Sequence, residues 1–213
     1  MNTNKIITIG REYGSGGRAI AQIVADKLGV KLYDKDLLSE IAKESGLCEE
    51  VLKSHDEKPV TSFFYSLAND VRNGFGNFND IPINQKAFIA SFETIQKIAE
   101  KESCVIVGRC SDYVLKDFPN VTNVFINADL EDKIELVTKL DGVTQNKAID
   151  IIQKKDKDRA NYYNYYSDRK WGAAATYDLC INSSHIGYEG AANAIIYFAE
   201  MKERLLQAEN ENL

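Results

Sequence analysis

Proline is scarce in this chain, with three in 213 residues. There is no low-complexity tract, so extended disorder is not expected. No apolar run approaches the length of a membrane span. An excess of positive charge is also missing: the formal net charge is -6. That balance argues against a general nucleic-acid or membrane-surface binder, which needs a cationic footprint. It leaves room for a small anionic ligand in a locally basic pocket. Cys48, Cys104, Cys110 and Cys180 form no CxxC pair. They read as buried free thiols in a reducing compartment, ahead of metal ligands or disulfides. The opening MNTNKIITIG runs straight into a strand-like segment without a signal-peptide pattern, so a cytoplasmic protein is expected.

Apolar residues make up 44% of the chain and charged residues 27%. This is the balance of one globular domain over 1–213 with a substantial core. Five short apolar runs read as strands: Lys5–Ile9, Lys31–Tyr33, Cys104–Val107, Asn123–Ile126 and Asp178–Ile181. Most are apolar on consecutive residues, as in strands covered on both faces. Helical spacing lies between them. Ile20, Ile23, Val24 and Leu28 share a face and stop at Gly29. Further helices are expected over Asn84–Lys101, from Thr144 toward Asp168, and over Tyr188–Gln207. The alternation implies a parallel sheet with ligands at the carboxyl ends of its strands. The loops after Ile9, Tyr33, Val107 and Ile126 would then share one edge. The segment PVTSFFYSLANDVRNGFGNFNDIP reads as a mobile flap within the long connection to Cys104.

The glycine run GREYGSGG follows the first strand. Glycines let backbone amides close around a phosphate, and a helix start adds to that field. The standard loop is G-x-x-x-x-G-K-[ST]. Here Gly10 and Gly16 are one residue too far apart, Gly17 stands at the lysine position, and Arg18 or Ala19 at the hydroxyl position. A dinucleotide fingerprint also fits, with Gly14, Gly16 and Ala19 as G-x-G-x-x-A and Asp34 twenty residues after Gly14. Four residues from Gly10 to Tyr13 intervene before that fingerprint, which suits a loop wrapping a polyphosphate better. A ligand-free glycine turn is the third reading.

Cations supply a second signal. Ala148, Ile151, Ile152, Lys155, Arg159, Tyr162, Tyr163 and Tyr166 recur at i+3 and i+4. Lys155 and Arg159 on that stripe require an anionic partner or must snorkel to water. The alternative is a plain surface pair of Asp156 with Arg159. Arg109 follows an apolar strand and Gly108, which puts it at the ligand edge. Arg11, Arg18, Arg109 and Arg159 could converge on phosphate, which guanidinium binds through paired N–H groups. His55 and His185 match no Ser or Cys motif, so a catalytic triad has no support. Trp171 and Gly172 read either as part of a lid or as a packed turn.

In order, GREYGSGGRAIA, LYDKDLL, VIVGRCSDYVL, KKDKDRANYY and YDLCINSS resemble the cytidylate kinase-like family of phosphate-loop proteins over nearly the whole chain. The resemblance implies a three-layer α/β fold: a five-stranded parallel sheet with helices on both faces. It also implies a helical substrate-binding insert at 36–85 and a lid at 155–176. It implies ATP- and Mg2+-dependent phosphoryl transfer to a nucleoside monophosphate such as CMP, with no nucleic-acid or membrane partner. Gly14, Ser15, Gly16 and Gly17 would hold the donor phosphates, with Arg18 or Arg11 replacing the absent lysine. Asp34 would lie near the substrate and Arg109 would grip the acceptor phosphate. Asp156 and Arg159 would hold the nucleotide and the transferring group, so Arg18 and Arg159 are the expected catalytic residues. No protein metal ligand is expected. A nucleotide sensor without transfer activity and a dinucleotide-binding protein are the alternatives. The aromatic insert and the tyrosine helix also suit a homo-oligomer interface.

Overall fold

Alternate residues of the apolar runs face opposite layers, which is why the runs are apolar throughout. In β1 (Ile6–Arg11), Ile7 and Ile9 enter one core cluster and Ile6 the other. In β3 (Cys104–Val107), Val105 and Val107 join the first cluster, and Cys104 and Ile106 the second. The computed structural model describes residues 4–34, 36–45, 52 and 83–211. Between the strands the chain order runs α1 (Gly17–Leu28), β2 (Lys31–Tyr33), α2 (Asp36–Ser45), α3 (Ile83–Lys101), β3 and α4 (Ser111–Val114). It continues with β4 (Val121–Asn127), α5 (Leu130–Asp141), α6 (Gln145–Ser167), β5 (Leu179–Asn182) and α7 (Ser183–Glu211).

The sheet is ordered β2-β3-β1-β4-β5, and every pair is parallel. Ile9 lies opposite Val107 on one side and Val124 on the other. On one face, Ile20 and Val24 of α1 pack with Ala192, Ile195 and Ala199 of α7. On the other, Leu37 and Ile41 of α2 pack with Ile95 and Ala99 of α3. This is the expected three-layer arrangement. Helices α5 and α6 pack together through Val137, Ala148 and Ile152, with Tyr13 of the glycine loop against them.

All five expected strands form, with β1 running on to Arg11 and β4 starting two residues early. Helix α5 was not expected, because charged residues interrupt its apolar pattern. Thr144 caps α6 by accepting from the Lys147 N–H. Helix α7 starts at Ser183 and breaks at Gly187, whose φ of 66° and ψ of 176° suit only glycine. The expected start near Tyr188 coincides with that break. Cys104 and Cys110 are buried free thiols. Cys180 corrects the expectation: it lies exposed on the edge strand β5. Cys48, His55 and the expected flap lie outside the described residues. Among the described residues, no helix is long and apolar enough to cross a membrane.

Candidate functional site

The glycine loop is held by the sheet at one end and by the first turn of α1 at the other. The Glu12 N–H donates to the Ile126 carbonyl at 3.0 Å, and the Ile20 N–H to the Gly16 carbonyl at 3.0 Å. Gly14 and Gly16 take φ of 83° and 72°, which only glycine adopts without strain. A Cβ on Gly16 would also lie 2.3 Å from the Tyr188 ring. Ser15 is buried. Its hydroxyl donates to the Glu12 carbonyl at 2.9 Å, and its own carbonyl accepts from Ser183 Oγ at 2.8 Å. The loop is thereby stitched to the start of α7, and the first turn of α1 opens toward it. A left-handed glycine turn that runs into a helix start is the backbone arrangement that phosphate sites use.

Packing explains the missing lysine. A Cβ at Gly17 would sit 2.6 Å from the Arg11 Cβ, so a long side chain there would displace Arg11. A different lysine reaches the loop. Lys133 of α5 is buried, with its backbone 3.1 Å from a Cβ built on Gly14. Its Nζ lies 2.8 Å from Glu12 Oε2 and 3.8 Å from Asp156 Oδ2. Asp156 also accepts from the Tyr13 N–H at 2.6 Å. Burial pushes the Asp156 carboxyl above its usual range; the Tyr13 N–H and Lys133 draw it partly back. Arg159 donates to the Arg11 carbonyl at 3.1 Å and lies over the Tyr13 ring. Asp156 and Arg159 therefore both turn toward the loop and are not a plain surface pair. Lys155 takes the other course open to a cation on that stripe and reaches water, its side chain being exposed.

Arg18 lies on the other flank. It is exposed, and its Nε pairs with Asp34 Oδ2. Arg109 reaches the same residue, donating to the Asp34 carbonyl at 2.8 Å. The chain turns sharply to place Arg109: Gly108, Arg109 and Cys110 all have positive φ, at 76°, 54° and 54°. For the two non-glycine residues this costs about 1–2 kcal/mol each. Arg109 is thereby only 4% exposed.

Arg11, Arg109 and Arg159 line one cleft at the carboxyl edge, with Gly10, Trp171 and Tyr177. Three of the four arginines singled out from sequence thus come together, and Arg18 turns aside to Asp34. Trp171 packs edge-on to Phe125, with ring centroids 5.1 Å apart, so the segment after α6 lies down on the sheet. Asp112, also at the cleft, accepts from the Tyr163 hydroxyl at 2.5 Å and has Arg169 at 3.8 Å. Burial raises the Asp112 carboxyl, while Tyr163 and Arg169 pull it partly down.

Sequence reading did not select Glu12, Asp112, Lys133 or Tyr177. A signal for Lys133 was available, because it shares a face with buried Val137 one turn on. His185 is exposed. Among the described residues, no three His, Cys, Asp or Glu side chains group as metal ligands.

The sequence profile of the cytidylate kinase-like family matches residues 6–185. A cytidylate kinase of Archaeoglobus fulgidus is 28% identical over 207 residues, spanning 92% of this chain and 96% of that protein. The crystal structure of an uncharacterized protein from Eubacterium ventriosum is 33% identical, with a TM-score of 0.71 over 92% of this chain and 99% of that one. Shikimate kinase from Bacteroides thetaiotaomicron is 14% identical, with a TM-score of 0.52 over 92% of this chain and 98% of that one. That last likeness is one of fold.

Proposed function

Because the chain belongs to the cytidylate kinase-like family, we propose that it transfers the terminal phosphoryl group of ATP to a nucleoside monophosphate, with CMP the first acceptor to test. The observation that carries this reading is the shared cleft of Arg11, Arg109 and Arg159 beside the glycine loop. Phosphoryl transfer needs positioning and charge more than covalent chemistry from the protein. Amides from Gly14 to Gly17 would hold the donor phosphates. Lys133 would supply the charge that Gly17 cannot, with its ammonium exchanging Glu12 and Asp156 for phosphate oxygens. Arg18, tied to Asp34, would shape the acceptor side.

Arg109 would grip the acceptor phosphate. One of that phosphate's oxygens bonds to the terminal phosphorus of ATP as the bond to the ADP oxygen breaks. Arg159 would neutralise the charge that spreads over the group in flight. Magnesium would arrive with ATP and offset phosphate charge. The oxygen donors at hand fit it: Mg2+ in such sites takes one or two carboxylates besides phosphates and water. Glu12 and Asp156 are the carboxylates beside the loop. The region 36–85 would hold the acceptor base, and 155–176 would act as the lid.

A second reading, a nucleotide sensor without transfer, draws on two observations. Asp156 already occupies a loop amide, and Arg18 stands where a magnesium-binding hydroxyl is usual. ATP, Mg2+ and a panel of monophosphates, read by ADP formation beside thermal shifts, separate the two. Acceptor-dependent ADP supports the kinase. Binding without ADP above background supports the sensor, and a shift with NAD or NADP alone would favour the dinucleotide reading.

A further inference from the structure

The outer face of α7 carries apolar side chains that the fold leaves in water. Tyr197 is 66% exposed, Met201 39% and Leu205 63%, and their four-residue spacing stacks them along the helix. Ala194 and Phe198 lie beside them, half-buried. Ala194 and Met201 are seven residues apart, as are Phe198 and Leu205, the repeat by which one helix meets another along a continuous seam. Single exposed apolar residues are ordinary, but a contiguous stripe marks an interaction surface. The opposite face of the helix is already used, with Ile195 and Ala199 in the core. The stripe lies toward the amino ends of the strands, away from the cleft. Lys202 there donates to the carbonyl of Val121, the first residue of β4, at 2.7 Å, and Glu203 pairs with Lys5 at 2.8 Å.

Charge identifies what covers the stripe. Lys202 and Glu203 are tied to the body of the protein, through Asp178 and Lys5. Glu200 and Arg204 flank the stripe and enter no salt bridge among the described residues. We infer that a second copy of this chain covers the stripe, with the two α7 helices antiparallel and Met201 on the two-fold axis. Tyr197 then lies opposite Leu205 of the second copy, and the reverse. A two-fold axis brings the same flank of both helices together. Glu200 is thereby about 3 Å along the helix axis, two residues, from the level of Arg204 of the second copy. The dimer gains that pair twice. Such flanking pairs set partner choice and orientation more than affinity. Contact through one helix from each chain is small for a stable interface, so the dimer dissociates in about the micromolar range. Both clefts stay open, at the other edge of the sheet.

Sedimentation velocity of the full-length protein, from about 1 to about 300 μM, tests this. The sedimentation coefficient should rise with concentration from that of a monomer to that of a dimer. A monomer at every concentration would overturn the proposal. Met201→Glu should stay monomeric throughout and, at dilutions where wild type is also monomeric, melt close to the wild-type temperature. A dimer that persists in Met201→Glu would put the contact elsewhere and overturn the assignment to α7. Glu200→Arg and Arg204→Glu, each alone, set like charges against each other across the axis and should weaken association about 10-fold or more. Mixed in equal amounts, these two variants restore opposite charges across the axis and should associate as wild type does. Association that neither reversal weakens, or that mixing does not restore, would overturn the antiparallel arrangement.

Discussion

Arg159 shows how much a single residue can reveal from sequence. Its place on an otherwise inward stripe marked it, and it does turn inward, onto the Arg11 carbonyl and the Tyr13 ring. Lys155 shared the same stripe and yet is exposed, because periodicity locates a face only to within about one residue in a turn. Arg159→Ala should lower turnover by about three orders of magnitude or more. Its melting temperature should stay close to that of wild type, since Arg159 lines the cleft and lies outside the two sheet-facing core clusters. Steady-state kinetics beside a melting curve checks both, and unchanged turnover would remove Arg159 from the chemistry. Asp112 carries a pH signature instead. Its folded pKa lies above the unfolded 3.8, so the native state holds the proton longer. Stability contributed by that proton is present in acid and is lost as pH rises from 3.8 through the folded value. Asp112→Asn, which still accepts from Tyr163, lacks this dependence. Urea denaturation should show the stability of wild type relative to the variant declining from acid toward neutral pH. A difference that grows with pH would contradict the assignment.

Elements were legible where each residue served one of two cores. Strands β1 and β3 read correctly because both of their faces are apolar, a pattern that loops rarely sustain. Helix α5 did not, since its buried stripe is narrow and includes Lys133. The loop's tight closure was also invisible, because it depends on contacts from distant elements: Arg11 against Gly17, and Tyr188 against Gly16. Two glycines separate backbone strain from these contacts. Gly142 ends α5 at φ 64° with nothing within 4 Å of a built Cβ. Gly142→Ala should cost only the left-handed strain, about 1–2 kcal/mol, and leave nucleotide binding intact. Gly16→Ala bears the same strain and must also push the Tyr188 ring aside, so nucleotide affinity should fall sharply. Calorimetric titration with ATP checks the pair. Equal affinities in the two variants would show that the Tyr188 contact does not shape the loop.

At the scale of the whole molecule, the order β2-β3-β1-β4-β5 gathers residues from Arg11 to Tyr177 at one edge. Sequence implied that edge through the alternation of strands and helices. The way charged side chains pair across it depends on tertiary packing, which the strand and helix pattern does not carry. Arg18, Asp34 and Arg109 form one flank of the glycine loop, and Glu12, Lys133, Asp156 and Arg159 the other. On the function proposed above, this loop transfers phosphate with the positive charge supplied by Lys133 of α5. The measurement that tests it most directly is CMP-dependent ADP formation from ATP and Mg2+ by wild type, Lys133→Ala and Lys133→Arg, run side by side. Wild type should form ADP only when CMP is present, Lys133→Ala should lose about two orders of magnitude or more in kcat, and Lys133→Arg should keep most of it. Wild-type turnover retained by Lys133→Ala would contradict the claim.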